Sequence, residues 1–258
     1  LRIYIRNFPW FMKRLTRLAN CFFALSLCAA LALPLAAMAE TIPFYAAAGV
    51  KAPAQEIIQA FEQRTGHTVQ RVFETAGAAE QQFVAAGKTG VLITTDVRID
   101  KAASAGGTLT GGTVRRVGDT LAGVAISKAF AKAFAAQQKT SAGRMGIGAA
   151  ADLKATLLAA KRIAFSDPAR GATVGVHFAQ VIDKLGIKAD VMAKAVIAKD
   201  GIETMKLVAS GEADIGITQM SEILQADASL VLGAFPPELE LATRYNSWIA
   251  ADASAAVR

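Results

Sequence analysis

Thiol chemistry is nearly missing from this 258-residue sequence: its two cysteines, Cys21 and Cys28, both precede residue 40. Beyond that point no disulfide, thiolate metal site or cysteine nucleophile can form. Histidine is scarce too. His67 and His177 lie far apart, and HExxH, paired CxxC and EF-hand spacings are all missing, so neither a dedicated metal site nor a cofactor is expected. There is no GxSxG elbow or Walker A loop; Gly87-Lys88-Thr89-Gly90 lacks the upstream glycine spacing and precedes a strand rather than a helix. Aromatics are 7% and charged residues 19% against 53% hydrophobic, so the apolar content is mainly Ala, Val, Leu and Ile. That excludes a disordered tail and supplies a core for one domain or two lobes.

The net charge of +7 is unevenly placed. Five basic residues (Arg2, Arg6, Lys13, Arg14, Arg17) and no acidic one fall within residues 1–39, which leaves 23 basic against 21 acidic in the rest. A nearly neutral body has no basic stripe for nucleic acid. Met12, the basic Lys13-Arg14 and Arg17, the apolar run Cys21–Leu33, Pro34 and the small-residue site Ala37-Met38-Ala39 form the three-part pattern of a secretory signal peptide. Cleavage is expected after Ala39, leaving 219 of the 258 residues in a Gram-negative periplasm. The run is short of the roughly 20 apolar residues that span a bilayer. Leu27 is bulky where a lipoprotein signal ending at Cys28 takes a small residue.

Strand-like and helix-like segments alternate through the body. Ile42–Tyr45, Val69–Phe73, Val91–Thr94, Leu121–Ile126, Ile163–Phe165 and Ile215–Ile217 read as strands. Helices are expected from Pro53 to Gly66, around Gln82–Val84, over Val174–Leu185 and over Ile202–Val208, and Gly106–Gly118 reads as a loop region. Such alternation predicts an α/β fold with mostly parallel sheets flanked by helices. Two lobes are expected, residues 40–120 and 121–231, with 232–258 returning to the first and ending in what resembles the start of a helix.

The chemistry that remains lies in small-residue turns between strands and helices: Ala48-Gly49-Val50, Thr75-Ala76-Gly77, and Ser166 through Ala169, Arg170, Gly171 and Thr173. Each exposes backbone N–H groups at a helix N-terminus, where the dipole favours an anion. Ligands of open α/β sheets bind at the carboxyl ends of the strands. Ordinary helix capping by Ser, Thr and Asp accounts for any one of these turns alone; three converging would make an anion site.

Four stretches, FYAAAGVKAPAQEIIQAFEQRTGHTV (44–69), FETAGAAEQQFVAAGKTGVLITTD (73–96), IAFSDPARGATVGVHFAQVIDKLGI (163–187) and LVASGEADIGITQMSEI (207–223), resemble the periplasmic molybdate-binding family of ABC-transporter receptors. The resemblance implies a two-lobed type II periplasmic-binding-protein fold, with strands crossing between lobes and the ligand in the cleft. It also implies that a C-terminal helical segment of the family is absent here. It places Gly49 and Ala76 where that family offers serine hydroxyls, and Gln219 where it offers a tyrosine. Several donors of a tetrahedral-oxyanion site are thereby lost.

The segments ITQMSEI and GAFPPELELATRYNSWIA look more like a carboxylate-handling branch that includes aconitate isomerases. A planar carboxylate suits arginine; Arg170 is the first candidate, ahead of Arg98 and Arg115. The favoured reading is a receptor, expected to be monomeric, that passes a small anion to an inner-membrane permease. That anion is expected to be an organic di- or tricarboxylate, with a molybdate-like oxyanion bound through backbone donors as the second candidate. The ligand-binding candidates are Ala48, Gly49, Thr75, Ala76, Gly77, Ser166, Ala169, Arg170, Gly171, Thr173 and Gln219. The alternative is an isomerase that shifts a proton on an unsaturated tricarboxylate, with Glu74 or His177 as base and Glu222 more remote.

Overall fold

The structure is a computed structural model that describes residues 39–104, 107–138 and 147–258. The signal-peptide expectation falls on residues 1–38, outside the described residues. Strands are β1 (Thr41–Ala47), β2 (Thr68–Glu74), β3 (Val91–Thr95), β4 (Thr113–Ile126), β5 (Ile163–Ser166), β6 (Ala195–Ala198), β7 (Ile215–Gln219), β8 (Val231–Ala234) and β9 (Ala242–Ile249). Helices are α1 (Lys51–Thr65), α2 (Ala76–Ala85), α3 (Asp96–Ala103), α4 (Lys128–Gln138), α5 (Ala150–Ala159), α6 (Thr173–Lys184), α7 (Lys188–Met192), α8 (Gly201–Ser210) and α9 (Met220–Asp227).

The sheet runs β2-β1-β3-β9-β4-β7-β5-β6, with β8 pairing β4 off this path. Inside each half the strands are parallel: β1 with β2 and β3, and β5 with β6 and β7. The halves are joined by antiparallel pairs, β3 with β9, β9 with β4 and β4 with β7. The expected predominance of parallel pairing thus becomes a mixed sheet, because β4 and β9 run back across it. The 14-residue β4 is long enough to belong to both halves, pairing β9 through residues 113–121 and β7 through residues 122–126.

The best-predicted elements carry their own signals. In α6, Val174, Phe178, Val181 and Ile182 form one buried stripe at helical spacing. Gly66 ends α1 at φ 73°, the left-handed corner that glycine adopts at low cost. All residues of β5 and β7 are buried, as expected of central strands covered on both faces. Their side chains feed a core in which Phe165 meets Phe178 edge-on at 5.1 Å. In the other half, Phe83 meets Trp248 at 5.5 Å beneath β3 and β9.

Two expectations are corrected. The supposed loop 106–118 becomes strand from Thr113 onward, because pairing with β9 outweighs a glycine- and threonine-rich composition. The register shift between Arg116 and Gly118 leaves Val117 as an extra residue in the ladder, an irregularity beside Gly118. Residues 250–258 form turns rather than a starting helix, with Ala256 and Val257 packed on the core of the first half.

Candidate functional site

Five strand ends meet at one place. β1 leads through Ala48–Val50, a single 3-10 turn, into α1; β2 leads into α2; β5 leads through Ser166–Ala172 into α6; β6 leads into α8; β7 leads into α9. Their corners line a cavity of about 30 Å³, room for about two waters. The lining includes Ala47, Ala48, Gly49, Glu74, Thr75, Ala76, Ser166, Ala172, Thr173, Val174, Asp200, Gly201, Thr218, Gln219, Glu222 and Tyr245. The turn at Ala48 and the α6 start at Ala172 have no side-chain cap, so their first N–H groups remain available to a guest. The other corners are self-capped. The Thr75 hydroxyl accepts the Ala78 N–H at 3.2 Å and donates to the Arg170 carbonyl, while Asp200 accepts the Glu203 N–H at 2.8 Å.

Three carboxyl groups line this cavity, and each is handled differently. Glu74 pairs with Arg170 at 2.9 Å and Lys199 at 3.0 Å, one cation on each oxygen, and the pairing holds the Lys199 ammonium above its usual range. Asp200 is spent as a helix cap. Glu222 has no cation. Its Oε2 accepts from the Thr218 hydroxyl and from the Gln219 N–H at 3.1 Å. Burial pushes this carboxyl up to about 7, against the opposing pull of those two hydrogen bonds and with a small addition from Asp200. Tyr245 presents a buried phenol whose titration burial drives far upward, so it stays a donor at any physiological pH. Among the described residues, no group of three or more His, Cys, Asp or Glu side chains could hold a metal ion.

A wider groove of about 350 Å³ lies alongside, lined by Asp96, Arg98, Lys101 and Arg244 among others. Its polar side chains are solvated or paired, as in Arg98 with Glu80 at 2.9 Å and Arg244 with Asp96 at 3.8 Å. The smaller cavity holds the buried polar groups and the strand ends, so its chemistry is the more specific.

Residues 42–258 match the family described as bacterial extracellular solute-binding protein. The chain belongs to that family. No curated protein matches it. Among solved structures, the periplasmic molybdate-binding protein of Azotobacter vinelandii is similar at 20% identity and TM-score 0.58, over 83% of this chain and 87% of that one. The substrate-binding domain of a putative molybdenum ABC transporter from Clostridium difficile is similar at 18% identity and TM-score 0.53, over 84% and 89%. PEB3 bound to L-phospholactate is similar at 15% identity and TM-score 0.54, over 83% and 88%. At these identities the likeness speaks for the fold: α/β, with a mixed sheet flanked by helices, as in two-lobed periplasmic binding proteins.

In this solute-binding protein the structure brings Ala48, Gly49, Thr75, Ala76, Ser166, Thr173, Gln219 and Glu74 together at the cavity. Gly77, Ala169, Arg170, Gly171 and His177 are not in its lining. The Gly77 N–H donates to the Gly171 carbonyl at 3.3 Å, and the Ala169 N–H is taken by Asp167 at 2.8 Å. Arg170 faces Glu74 instead of a guest. His177 lies one turn beyond Thr173 on α6, at 2.8 Å from the Leu239 carbonyl and against Phe235. Arg98 lies over the Gly77–Gly171 contact, and Arg115 is exposed on β4.

Sequence reasoning passed over Asp200, Gly201 and Tyr245. The first two follow β6 at the same kind of strand-to-helix corner as the others, a signal that a recognised β6 would have exposed. Tyr245 arrives from β9, and nothing local marks it.

Proposed function

We propose that this protein captures a small anion in the cavity at the five strand ends and delivers it to an ABC permease. The observation that carries this reading is the pair of uncapped corners at Ala48 and Ala172, both lining one cavity with Tyr245 in its wall. Backbone dipoles and a neutral phenol hold negative charge without a cation. The lining carboxyls are partly offset: Glu74 is neutralised by Arg170 and Lys199, Asp200 faces the N-terminus of α8 as its cap, and burial raises Glu222 to about 7, so that it is partly protonated near neutral pH. Two lobes, residues 40–120 and 121–231 with 232–258 returning to the first, would close on the guest. Export through a signal peptide cleaved after Ala39, periplasmic residence and a monomeric state complete the reading.

The small cavity and the engaged Arg170 favour a compact oxyanion or short carboxylate over a tricarboxylate. Of the similar structures, two are described as molybdate- or molybdenum-related and one as holding L-phospholactate, which is the same class of compact anion. One observation keeps the isomerase reading: Glu222 is a buried carboxyl poised near neutrality, as a general base should be. Titration calorimetry with molybdate, sulfate, L-phospholactate, citrate and trans-aconitate tests the receptor reading. One anion per chain is expected, with a compact member binding tightest; no binding by any of them contradicts it. A fall in trans-aconitate absorbance on adding the protein would move the assignment to the isomerase.

A further inference from the structure

The cavity is short of hydrogens on one side. Glu222 Oε2 accepts two hydrogen bonds, while Oε1 accepts none among the described residues. Gln219 sits beside it, 5% exposed. Its Nε2 donates to Thr243 at 3.0 Å. Its side chain turns toward the Glu222 N–H in capping-box fashion, yet Oε1 completes no hydrogen bond of ordinary geometry. A fully deprotonated anion brings only acceptors, so beside Glu222 Oε1 it would confront a buried carboxylate with nothing to donate.

A proton on Glu222 resolves this conflict. We propose that Glu222 is the specificity-determining donor of the cavity: its carboxyl, protonated from solvent, donates a hydrogen bond to the bound anion, so that anion and proton are taken up together. This rests on the anion-binding reading of the same site.

The charged surroundings agree. Asp200, from α8, faces the carboxyl and opposes its ionisation, and Tyr245 faces it from β9 as a neutral phenol. The Ala48–Val50 turn, β7, β8, the Ala228–Leu230 turn and the Leu121–Ile126 end of β4 contribute no ionisable residue. Lys51, at the start of α1, sits over the Phe73 ring, and the cations nearest the cavity mouth, Arg170 and Lys199, are held by Glu74. An uncompensated buried carboxylate is costly, and a bound anion beside it raises that cost further, which pulls a proton in. The site is also shaped for this group: a Cβ at Gly201 would run into Glu222 Oε2.

The test is calorimetry of the unmodified protein with molybdate and sulfate, whose own charge is constant over the range, between about pH 6.5 and 8.5 in two buffers of different ionisation enthalpy. At the upper end about one proton should be taken up per anion, and the dissociation constant should rise toward tenfold per pH unit above about 7. Glu222→Gln, which carries a permanent donor, should flatten that slope. Tight binding with no proton uptake and no slope overturns the proposal and leaves the receptor reading standing. Failure of both anions to bind at any pH overturns this proposal; if L-phospholactate, citrate and trans-aconitate also fail to bind, the receptor reading falls with it.

Discussion

The resemblance to the molybdate-binding family implies a serine position at Gly49, and the structure leaves no room for one. A Cβ built there would lie 2.5 Å from the Tyr245 hydroxyl. The phenol reaching in from β9 occupies the place such a side chain would need. Gly49→Ser should therefore weaken anion binding and lower the melting temperature, since overpacking costs about 1–3 kcal/mol. Adding Tyr245→Phe should recover part of the stability, as read by thermal melts of the single and double variants. Glu222 makes a second prediction at this scale. Its folded value of about 7 lies above the ordinary 4.5, so the folded state binds the extra proton. Its contribution is full below about pH 4.5 and is lost as pH rises to about 7. That loss is roughly 3 kcal/mol at about 1.4 kcal/mol per unit. Denaturant titrations across that range should show the decline in the wild type and a shallower one in Glu222→Gln.

At the scale of elements, the corners after β2 and β5 are fastened together across the cavity. Glu74 holds Arg170 and Lys199, the Thr75 hydroxyl donates to the Arg170 carbonyl, and Gly77 N–H reaches Gly171. On the other side, the Ser221 hydroxyl donates to the Gly49 carbonyl at 2.6 Å. These bonds tie the corners to one another. Arg170 and Lys199 are 38% and 54% exposed, so the ion pairs contribute about 1 kcal/mol. Glu74→Ala should thus weaken anion binding about three- to tenfold and enlarge the scattering radius of the ligand-free protein. An unchanged radius and unchanged affinity would remove the latch. The same elements show what local sequence can encode. Helix α6 and the stops at Gly66 and Gly186 were legible because stripe and stop are local. The start of β4, and β6, β8 and β9, were not, because their pairing partners lie far along the chain.

For the whole molecule, the order of strands and helices was readable, whereas their crossing was not. Strand β9 crosses back to pair with both β3 and β4. That crossing carries Tyr245 into the cavity and so decides part of its chemistry. A composition argument could find the corners that bear free N–H groups. It could not find which carboxyls the fold pairs with cations and which it buries without one, since Glu74 and Glu222 differ only in their neighbours. The central claim is that backbone corners at the strand ends, not surface cations, hold the anion. Anomalous diffraction from crystals soaked in molybdate or selenate tests it most directly. One peak is expected between the Ala48 and Ala172 corners, beside Tyr245. A peak confined to the groove of Arg98, Lys101 and Arg244, or none at saturating anion, would contradict it.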